Sequence, residues 1–123
     1  MCIRDSPYID VIGHCGQEAF PFDHEKVVKA FKEYGKIVEV NAGSFFSRPG
    51  SAENCRDIVR YCKKYEVPVV LDSDAHYCDL IGRVQPCIDI IEELGYPEKL
   101  VVNADVDRLC TYLERRKERI AAL

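Results

Sequence analysis

The sequence lacks the features that would place the protein in a membrane, outside the cell or on a nucleic acid. It has no apolar run near the roughly 18 residues that a spanning helix needs, and its N-terminus has no apolar signal core. The net charge is −4, which does not suit an anionic membrane or nucleic-acid surface. No glycine-rich phosphate loop follows any apolar run, which argues against nucleotide binding. We therefore expect a cytoplasmic protein with neither a membrane nor a nucleic acid as its partner.

Signals for a disulfide framework are also missing, although cysteine is plentiful. The seven cysteines are odd in number and contain no Cys-x-x-Cys pair. Cys55 and Cys62 lie seven residues apart on the apolar face of a predicted helix, where a free thiol behaves as a small hydrophobic group. The pattern predicts a reducing compartment. The alternative is a thiolate metal site that uses Cys15 and Cys78, each of which follows close after a histidine, although strand and helix geometry would scatter these thiols.

What the 123 residues do contain is a regular alternation of strand and helix patterns, enough for one domain. Four apolar runs rich in β-branched residues predict the buried strands of a parallel sheet. These runs are Tyr8–Gly13, Ile37–Asn41, Val67–Leu71 and Leu100–Val102.

A helical pattern follows each predicted strand. Asp23, Ser51 and Asp105 are predicted N-caps of the first, second and fourth helices. The third helix is predicted from about Asp79 to Leu94, with a kink at Pro86. In the last helix we expect a buried stripe, which consists of Val106, Leu109, Cys110 and Leu113.

The order of elements predicts an α/β fold of four βα units with a parallel sheet and right-handed crossovers. Four units form either an open doubly wound sheet or half of a barrel, whose complete set needs roughly 200 residues or more. A half barrel has two unpaired strand edges, which favour association with another chain. The sequence therefore leaves an oligomer open.

Polar side chains follow three of the predicted strands, at the ends where βα proteins place their functional groups. Asp74 and His76 come two residues apart after the third strand, and in an extended chain such residues point the same way. His14 lies independently at the end of the first strand. A carboxylate and two imidazoles suit zinc, manganese or iron. The alternative is a capping aspartate with a surface histidine, which the sequence alone leaves open.

Five stretches of the chain match, in the same order, the pattern of one protein family. They are Ile9-Asp-Val-Ile-Gly-His14-Cys-Gly; Val38-Glu-Val-Asn41 with Ser44-Phe45 and Ser47-Arg48; Gly50-Ser51 with Asn54-Cys55-Arg56; Ser73-Asp74-Ala75-His76; and Gly95-Tyr96-Pro97-Glu98 with Val102-Asn103. From about residue 8 the chain therefore resembles the C-terminal half of the PHP family of metal-dependent phosphoesterases, in its YcdX-like branch.

The resemblance implies half of a distorted TIM-like barrel with a multinuclear metal centre that hydrolyses phosphomonoesters. His14, Asp74 and His76 are then metal ligands, with zinc as the first expectation and manganese or iron as alternatives. Neighbouring cations would hold a phosphate ester and lower the pKa of a bound water toward ~7. The implied partner is a small phosphorylated substrate.

Four further residues receive weaker assignments from the resemblance. Asn41 and Arg48 are expected to contact the substrate phosphate, with strand-end hydrogen bonding and a solvated loop cation as their respective alternatives. Glu39 is expected to be a buried, hydrogen-bonded group behind the ligands. Asp72 stands where the family has glycine, and its added carboxylate would shift the metal preference or raise the pKa of a neighbouring carboxylate.

The family pattern also departs from this chain at other points. Cys15 replaces a proline, and Ala42-Gly43 replaces an Asn-Ser pair. The N-terminal half of the family supplies a His-x-His motif and further ligands, whereas this chain has three histidines in all, of which His24 reads as a surface residue in a first helical turn.

We therefore expect residues 1–7 to be a non-native leader and residues 8–123 to be a partial PHP domain. As a fragment of a longer phosphoesterase, the chain would be inactive by itself. The alternatives are a non-catalytic regulatory or structural domain, a histidinol-phosphatase-type enzyme and an unrelated doubly wound binding module.

Overall fold

A computed structural model describes residues 5–46 and 50–123 of the chain. Within them, three parallel strands form a sheet in the order β1-β2-β3: β1 is Val11–Ile12, β2 is Ile37–Asn41 and β3 is Val69–Asp72. Ile12 lies beside Val38 and Asn41 lies beside Asp72, so all three strands run in register toward one edge of the sheet.

Helices follow every strand, which confirms the predicted α/β class with a parallel sheet. The α-helices are α1 (His24–Glu33), α2 (Gly43–Phe46), α3 (Ser51–Tyr65), α4 (Gln85–Glu93) and α5 (Val106–Ala121). Short 3₁₀ turns occupy Cys78–Leu80, Glu98–Leu100 and Val102–Ala104. No helix in the described part of the chain is long and apolar enough to span a membrane.

The core lies around the central strand β2. Val38 and Val40 are almost fully buried and belong to one apolar cluster with side chains of α1, α3 and α4. Burial of a valine or isoleucine side chain stabilises a fold by about 1.5–3 kcal/mol. The Cys87 thiol of α4 donates to the carbonyl oxygen of Val40 at 3.1 Å, which ties α4 to β2 close to the functional end of the sheet.

The predicted fourth strand, Leu100–Val102, is reduced to one parallel bridge between Val69 and Val101. A 3₁₀ turn lies on each side of Val101, so only one residue is extended enough to pair. The side chain of Asn103 replaces the next rung of the ladder: its Oδ1 accepts from the Leu71 backbone N–H at 3.0 Å, and its Nδ2 donates to the Leu71 carbonyl at 2.7 Å.

The third predicted helix begins later than its sequence pattern suggested. Gly82 has a φ of +80°, which breaks the chain after the turn at Cys78–Leu80. Helix α4 then begins at Gln85. Pro86 lies in the first helical turn, where its missing N–H costs nothing, so it starts the helix instead of kinking it.

The predicted N-caps are right at two helices and wrong at one. Asp23 accepts from the backbone N–H of Lys26 at 2.9 Å, and Asp105 accepts from that of Arg108 at 2.8 Å. At α3 the cap residue is Gly50, which has a φ of +79°. Ser51 is instead the first helical residue, and its buried hydroxyl has no hydrogen-bond partner among the described residues.

The stripe predicted to be buried on α5 is exposed in the described part of the chain. Val106 is 76% exposed and Leu113 is 46% exposed, and Cys110 is exposed as well, whereas Leu109 is half-buried. Polar contacts on another face of the helix orient it instead. The Tyr112 hydroxyl and the guanidinium groups of Arg116 and Arg119 all bind the carboxylate of Asp10.

Candidate active site

The parallel register brings three strand ends to one edge of the sheet. Strand β2 ends at Asn41, which lies beside Asp72 at the end of β3. His14 follows β1 after a single glycine. The candidate site consists of side chains that follow these three ends, as expected for a βα protein.

Glu39 holds the backbone of His14 in place. Its Oε2 atom accepts a 2.7 Å hydrogen bond from the backbone N–H of His14 and lies 3.9 Å from the Nδ1 atom of the ring. Gly13 leaves room for this approach, since a Cβ atom there would lie 3.3 Å from the same oxygen, which is a tight contact. Glu39 therefore influences the candidate site by fixing the position of the His14 backbone.

Asn41 connects the ends of β1 and β2. The residue is buried, and its Nδ2 atom lies 3.2 Å from the His14 Nδ1 atom. Its Oδ1 atom accepts from the backbone N–H of Ser44 at 3.2 Å. Both ends of the amide are thus engaged within the protein, which favours strand-end hydrogen bonding over a direct contact with substrate.

Asp74 approaches the same place from β3. A Cβ atom placed on Gly43 would lie 3.0 Å from both the Asp74 Oδ2 atom and the Asn41 Oδ1 atom. The two oxygens therefore converge on the backbone of Gly43, in a space that any side chain there would fill. This brings His14, Asn41 and Asp74 together at the edge of the sheet.

His76 does not follow the extended geometry that the sequence suggested. Asp74 has a φ of +48°, and its backbone N–H binds the Asp72 Oδ1 atom at 3.0 Å, so the chain turns directly after β3. The His76 Nδ1 atom lies 2.7 Å from the carbonyl oxygen of Asp74, and the residue is exposed. The prediction that Asp74 and His76 point the same way, because the chain is extended between them, is therefore wrong.

Backbone strain is concentrated at this edge. Among the described residues, three non-glycine residues have a positive φ: His14, Glu66 and Asp74. Glu66 is the C-cap of α3, where a left-handed residue commonly ends a helix. The other two are predicted site residues. Histidine and aspartate tolerate this conformation better than most residues, and such strain often accompanies function.

The carboxyl groups of Asp72 and Glu39 form a close pair behind the site. Burial raises the pKa of Asp72 to about 7, and a hydrogen bond with Glu39 and repulsion by its charge act in the same direction. The backbone N–H of Asp74 opposes this shift, but does not cancel it. Near neutral pH the Asp72 carboxyl group is therefore partly protonated.

The described side chains do not make a complete metal site. Within residues 5–46 and 50–123, no three histidine, cysteine, aspartate or glutamate side chains are arranged to hold one metal ion. His14 and Asp74 offer the right kinds of donor atom for zinc or manganese, but too few of them converge. The ligand set His14, Asp74 and His76 stays a prediction, and Arg48 lies outside the described residues.

Cys15 and Cys78, the two thiols of the alternative site, do not supply the missing donors among the described residues. Burial and the neighbouring Cys55 raise the pKa of Cys15 to about 12, so its thiol stays protonated at neutral pH and is a poor ligand. Cys78 is exposed in the turn after His76. The geometry therefore gives no support to the alternative thiolate site.

An open cleft of about 890 Å³ adjoins the strand ends. Asp74 and His76 lie on its wall, and most of the rest comes from the segment Tyr77–Ile88. The sequence interpretation missed this cleft because it placed a helix across the segment. Gly82 and Pro86 were the available signals that the helix begins later.

No protein-family model matches the chain. It is similar to a "Probable phosphatase" of Clostridium botulinum, with 39% identity over 114 residues that cover 93% of this chain and 47% of the relative. Another "Probable phosphatase", of Acetivibrio thermocellus, is 45% identical over 118 residues, which cover 96% of this chain and 49% of the relative. A third, of Caldanaerobacter subterraneus, is 43% identical over 116 residues, which cover 94% of this chain and 46% of the relative. The chain spans about half the length of these curated relatives.

Proposed function

We propose that the chain is part of a phosphatase that hydrolyses phosphomonoesters at the strand-end edge of its sheet. The observation that carries the proposal is the convergence of His14, Asn41 and Asp74 on one edge, in a chain whose relatives are named probable phosphatases. A phosphatase needs groups that bind a phosphate and activate a water, and the carboxyl ends of parallel strands commonly hold them.

In this proposal, His14, Asp74 and His76 contribute to a centre of divalent metal ions, zinc first and manganese or iron otherwise. Such ions would supply positive charge for the phosphate and a hydroxide nucleophile. The donors that converge among the described residues are too few to hold an ion tightly, so in this proposal further ligands come from the part of the relatives' length that this chain does not cover. The relatives are about twice as long as this chain, which is consistent with ligands from a second part of the protein.

The remaining site residues position these groups. Glu39 holds the His14 backbone, and Asn41 holds its ring, so the imidazole is oriented before any ligand arrives. Asp72 fixes the turn at Asp74 through the backbone N–H of that residue. The PHP-type identity of the whole protein belongs to the same proposal.

Metal binding by variants tests the ligand assignment. Purified chain and the variants His14→Ala and Asp74→Ala would be titrated with Zn²⁺ and with Mn²⁺ by calorimetry. His24→Ala is the matched control, because His24 binds Asp57 at 2.7 Å in another part of the fold. We expect both site variants to weaken metal binding about tenfold or more, and the control to leave it unchanged.

Three results would contradict the proposal at different points. Equal metal binding by all variants would remove His14 and Asp74 from the ligand set. Rapid metal-dependent hydrolysis of phosphomonoesters by the 123-residue chain alone would show that its own residues complete the centre. Absence of hydrolysis in a full-length relative that carries the same residues would remove the phosphatase assignment itself.

A further inference from the structure

The cleft beside the strand ends has an apolar character that binding and hydrolysis of a phosphate group do not require. Its wall is mainly apolar, and it includes Phe46, Tyr77, Leu80, Val84 and Ile88. It is continuous with the candidate site, since Gly43, Ser73, Asp74 and His76 also line it. A molecule held with its phosphate at Asp74 would therefore place its organic part against this wall.

Two aromatic side chains stand at the cleft with most of their surface in solvent. Phe46 is 77% exposed and Tyr77 is 73% exposed. Exposed aromatic rings that border an apolar groove mark a binding surface more often than isolated ones do, and they suit flat ligand groups. The volume of about 890 Å³ also lies within the usual range of ligand pockets, roughly 300–1,000 Å³.

The cleft offers little to a strongly polar organic group. Among its described lining residues, Arg83 carries the only fixed positive charge, and its guanidinium lies 4.0 Å from the carboxylate of Asp79. The Nε2 atom of Gln85 donates a 2.7 Å hydrogen bond to the Oδ1 atom of Asp89. The other polar side chains of the lining, Ser73, Asp74 and His76, lie at the end of the cleft next to the strands, so the wall away from them is mainly apolar.

We infer that the cleft binds the organic part of the substrate and selects phosphomonoesters whose organic group is aromatic or otherwise flat and apolar. This inference rests on the proposed phosphatase function for the position of the phosphate. It goes beyond that function because it names the substrate class and the side chains that recognise it.

The segment that forms the cleft explains why the space is open. The turn at Cys78–Leu80 and the left-handed Gly82 replace the first two turns of a continuous helix. Val84 then stands as the N-cap of α4, and Pro86 begins the helix behind it.

Equilibrium binding of phosphonates tests the inference without any hydrolysis, because their carbon–phosphorus bond is not a phosphatase substrate. The probes are 1-naphthylmethylphosphonate and 2-hydroxyethylphosphonate, which carry the same charged group on an aromatic and a polar substituent. We expect the naphthyl compound to bind a full-length protein that carries these residues about tenfold more tightly, measured by calorimetry in the presence of Zn²⁺.

Tyr77→Ala and Ile81→Ala form a matched pair of variants. Both residues are 73% exposed, so neither change removes core packing, but only Tyr77 lines the cleft. We expect Tyr77→Ala to reduce the preference for the naphthyl compound about threefold or more, and Ile81→Ala to preserve it. Equal binding of the two phosphonates, no binding of either, or equal effects of the two variants would overturn the inference.

Hydrolysis and self-association are measured separately so that the possible failures are distinct. The proposed function fails if a full-length protein carrying these residues hydrolyses neither 1-naphthyl phosphate nor glycerol phosphate. The inference fails if the two phosphonates bind equally, whatever the hydrolysis shows. It also fails if sedimentation shows a dimer that Tyr77→Ala dissociates, because a second copy would then be the occupant of the cleft.

Discussion

The hydroxyl of Tyr112 donates a 2.8 Å hydrogen bond to the carboxylate of Asp10, which lies 102 residues earlier in the chain. Arg116 and Arg119, one and two turns further along α5, bind the same carboxylate. The Asp10 side chain is only 10% exposed, so these three donors replace most of its water. A single carboxylate thus joins the last helix to the residue directly before β1.

We predict that Asp10→Asn destabilises the protein by about 1–3 kcal/mol. The amide cannot satisfy two guanidinium groups and a phenol as the carboxylate does, and loss of one partner from a poorly hydrated ion pair is costly. Urea unfolding followed by circular dichroism measures the change. Asp107→Asn, on an exposed position of α5, is the control and should change the stability by less than about 0.5 kcal/mol.

The same contact predicts a dependence on pH. Burial raises the pKa of Asp10, but the hydrogen bonds from Arg116, Tyr112 and Arg119 outweigh burial, and the net pKa lies below the usual 3.8. A carboxyl group whose pKa is lowered by folding contributes stability above its unfolded pKa and loses it as the pH falls through its folded pKa. The stability difference between wild type and Asp10→Asn should therefore be constant from pH 5 to 7 and shrink below about pH 4. A constant difference down to pH 2 would contradict the assignment.

Asp72 should have the opposite pH dependence, because its pKa is raised to about 7. A carboxyl group of this kind is easily protonated in the fold, so its contribution to stability is lost as the pH rises from about 4 to 7. We expect Asp72→Asn, which keeps the group neutral, to gain stability relative to wild type between pH 5 and pH 8. The comparison uses urea unfolding at the two pH values, and Asp107→Asn should show no such gain. An equal difference at both pH values would show that Asp72 does not hold the proton.

Removal of the Asn103 side chain should loosen the outer edge of β3. Its amide makes two hydrogen bonds to the backbone of Leu71, and Asn103→Ala exchanges both for hydrogen bonds to water, at a cost of about 0.5–1.5 kcal/mol. Asn103→Asp is an informative second variant, because it keeps the acceptor but places a second oxygen against the Leu71 carbonyl. We expect both to speed hydrogen exchange at the Leu71 amide, the alanine variant more strongly. Unchanged exchange in both would mean that the amide does not pair with this strand.

Local signals in the sequence predicted the local structure well. Asp23 and Asp105 were recognisable as helix caps because an aspartate before an apolar periodic pattern satisfies the free N–H groups by itself. Strand β2 was predicted with its observed bounds, because a short apolar run of β-branched residues is typical of a buried parallel strand. The class of fold followed from the order of these elements.

The errors arose where a tertiary contact decides between two local structures. The residues around Val101 have the composition of a strand, but the side-chain amide of Asn103 makes the next hydrogen bonds to β3. No pattern in the sequence predicts that a side chain replaces the strand backbone there. The apolar stripe of α5 was expected to face inward, yet the orientation of the helix depends on Asp10, which is distant in sequence.

The residues that converge at the candidate site could be predicted from the sequence, but their geometry could not. The position of His14, Asn41 and Asp74 after strands was visible in the sequence, and the parallel register brings them to one edge. The turn at Asp74 was not visible, because its left-handed conformation depends on the Asp72 side chain and on the space beside Gly43.

The amide of Asn103 also determines the direction in which the sheet can grow. It occupies hydrogen-bonding groups of Leu71 that an added strand would need, so the β3 side is a poor template for a further strand. In the described part of the chain, β1 is the opposite margin, and its Val11 is 43% exposed. Any strand that extends this sheet, from the same polypeptide or from another, is therefore expected to add beside β1, where it would lie next to His14.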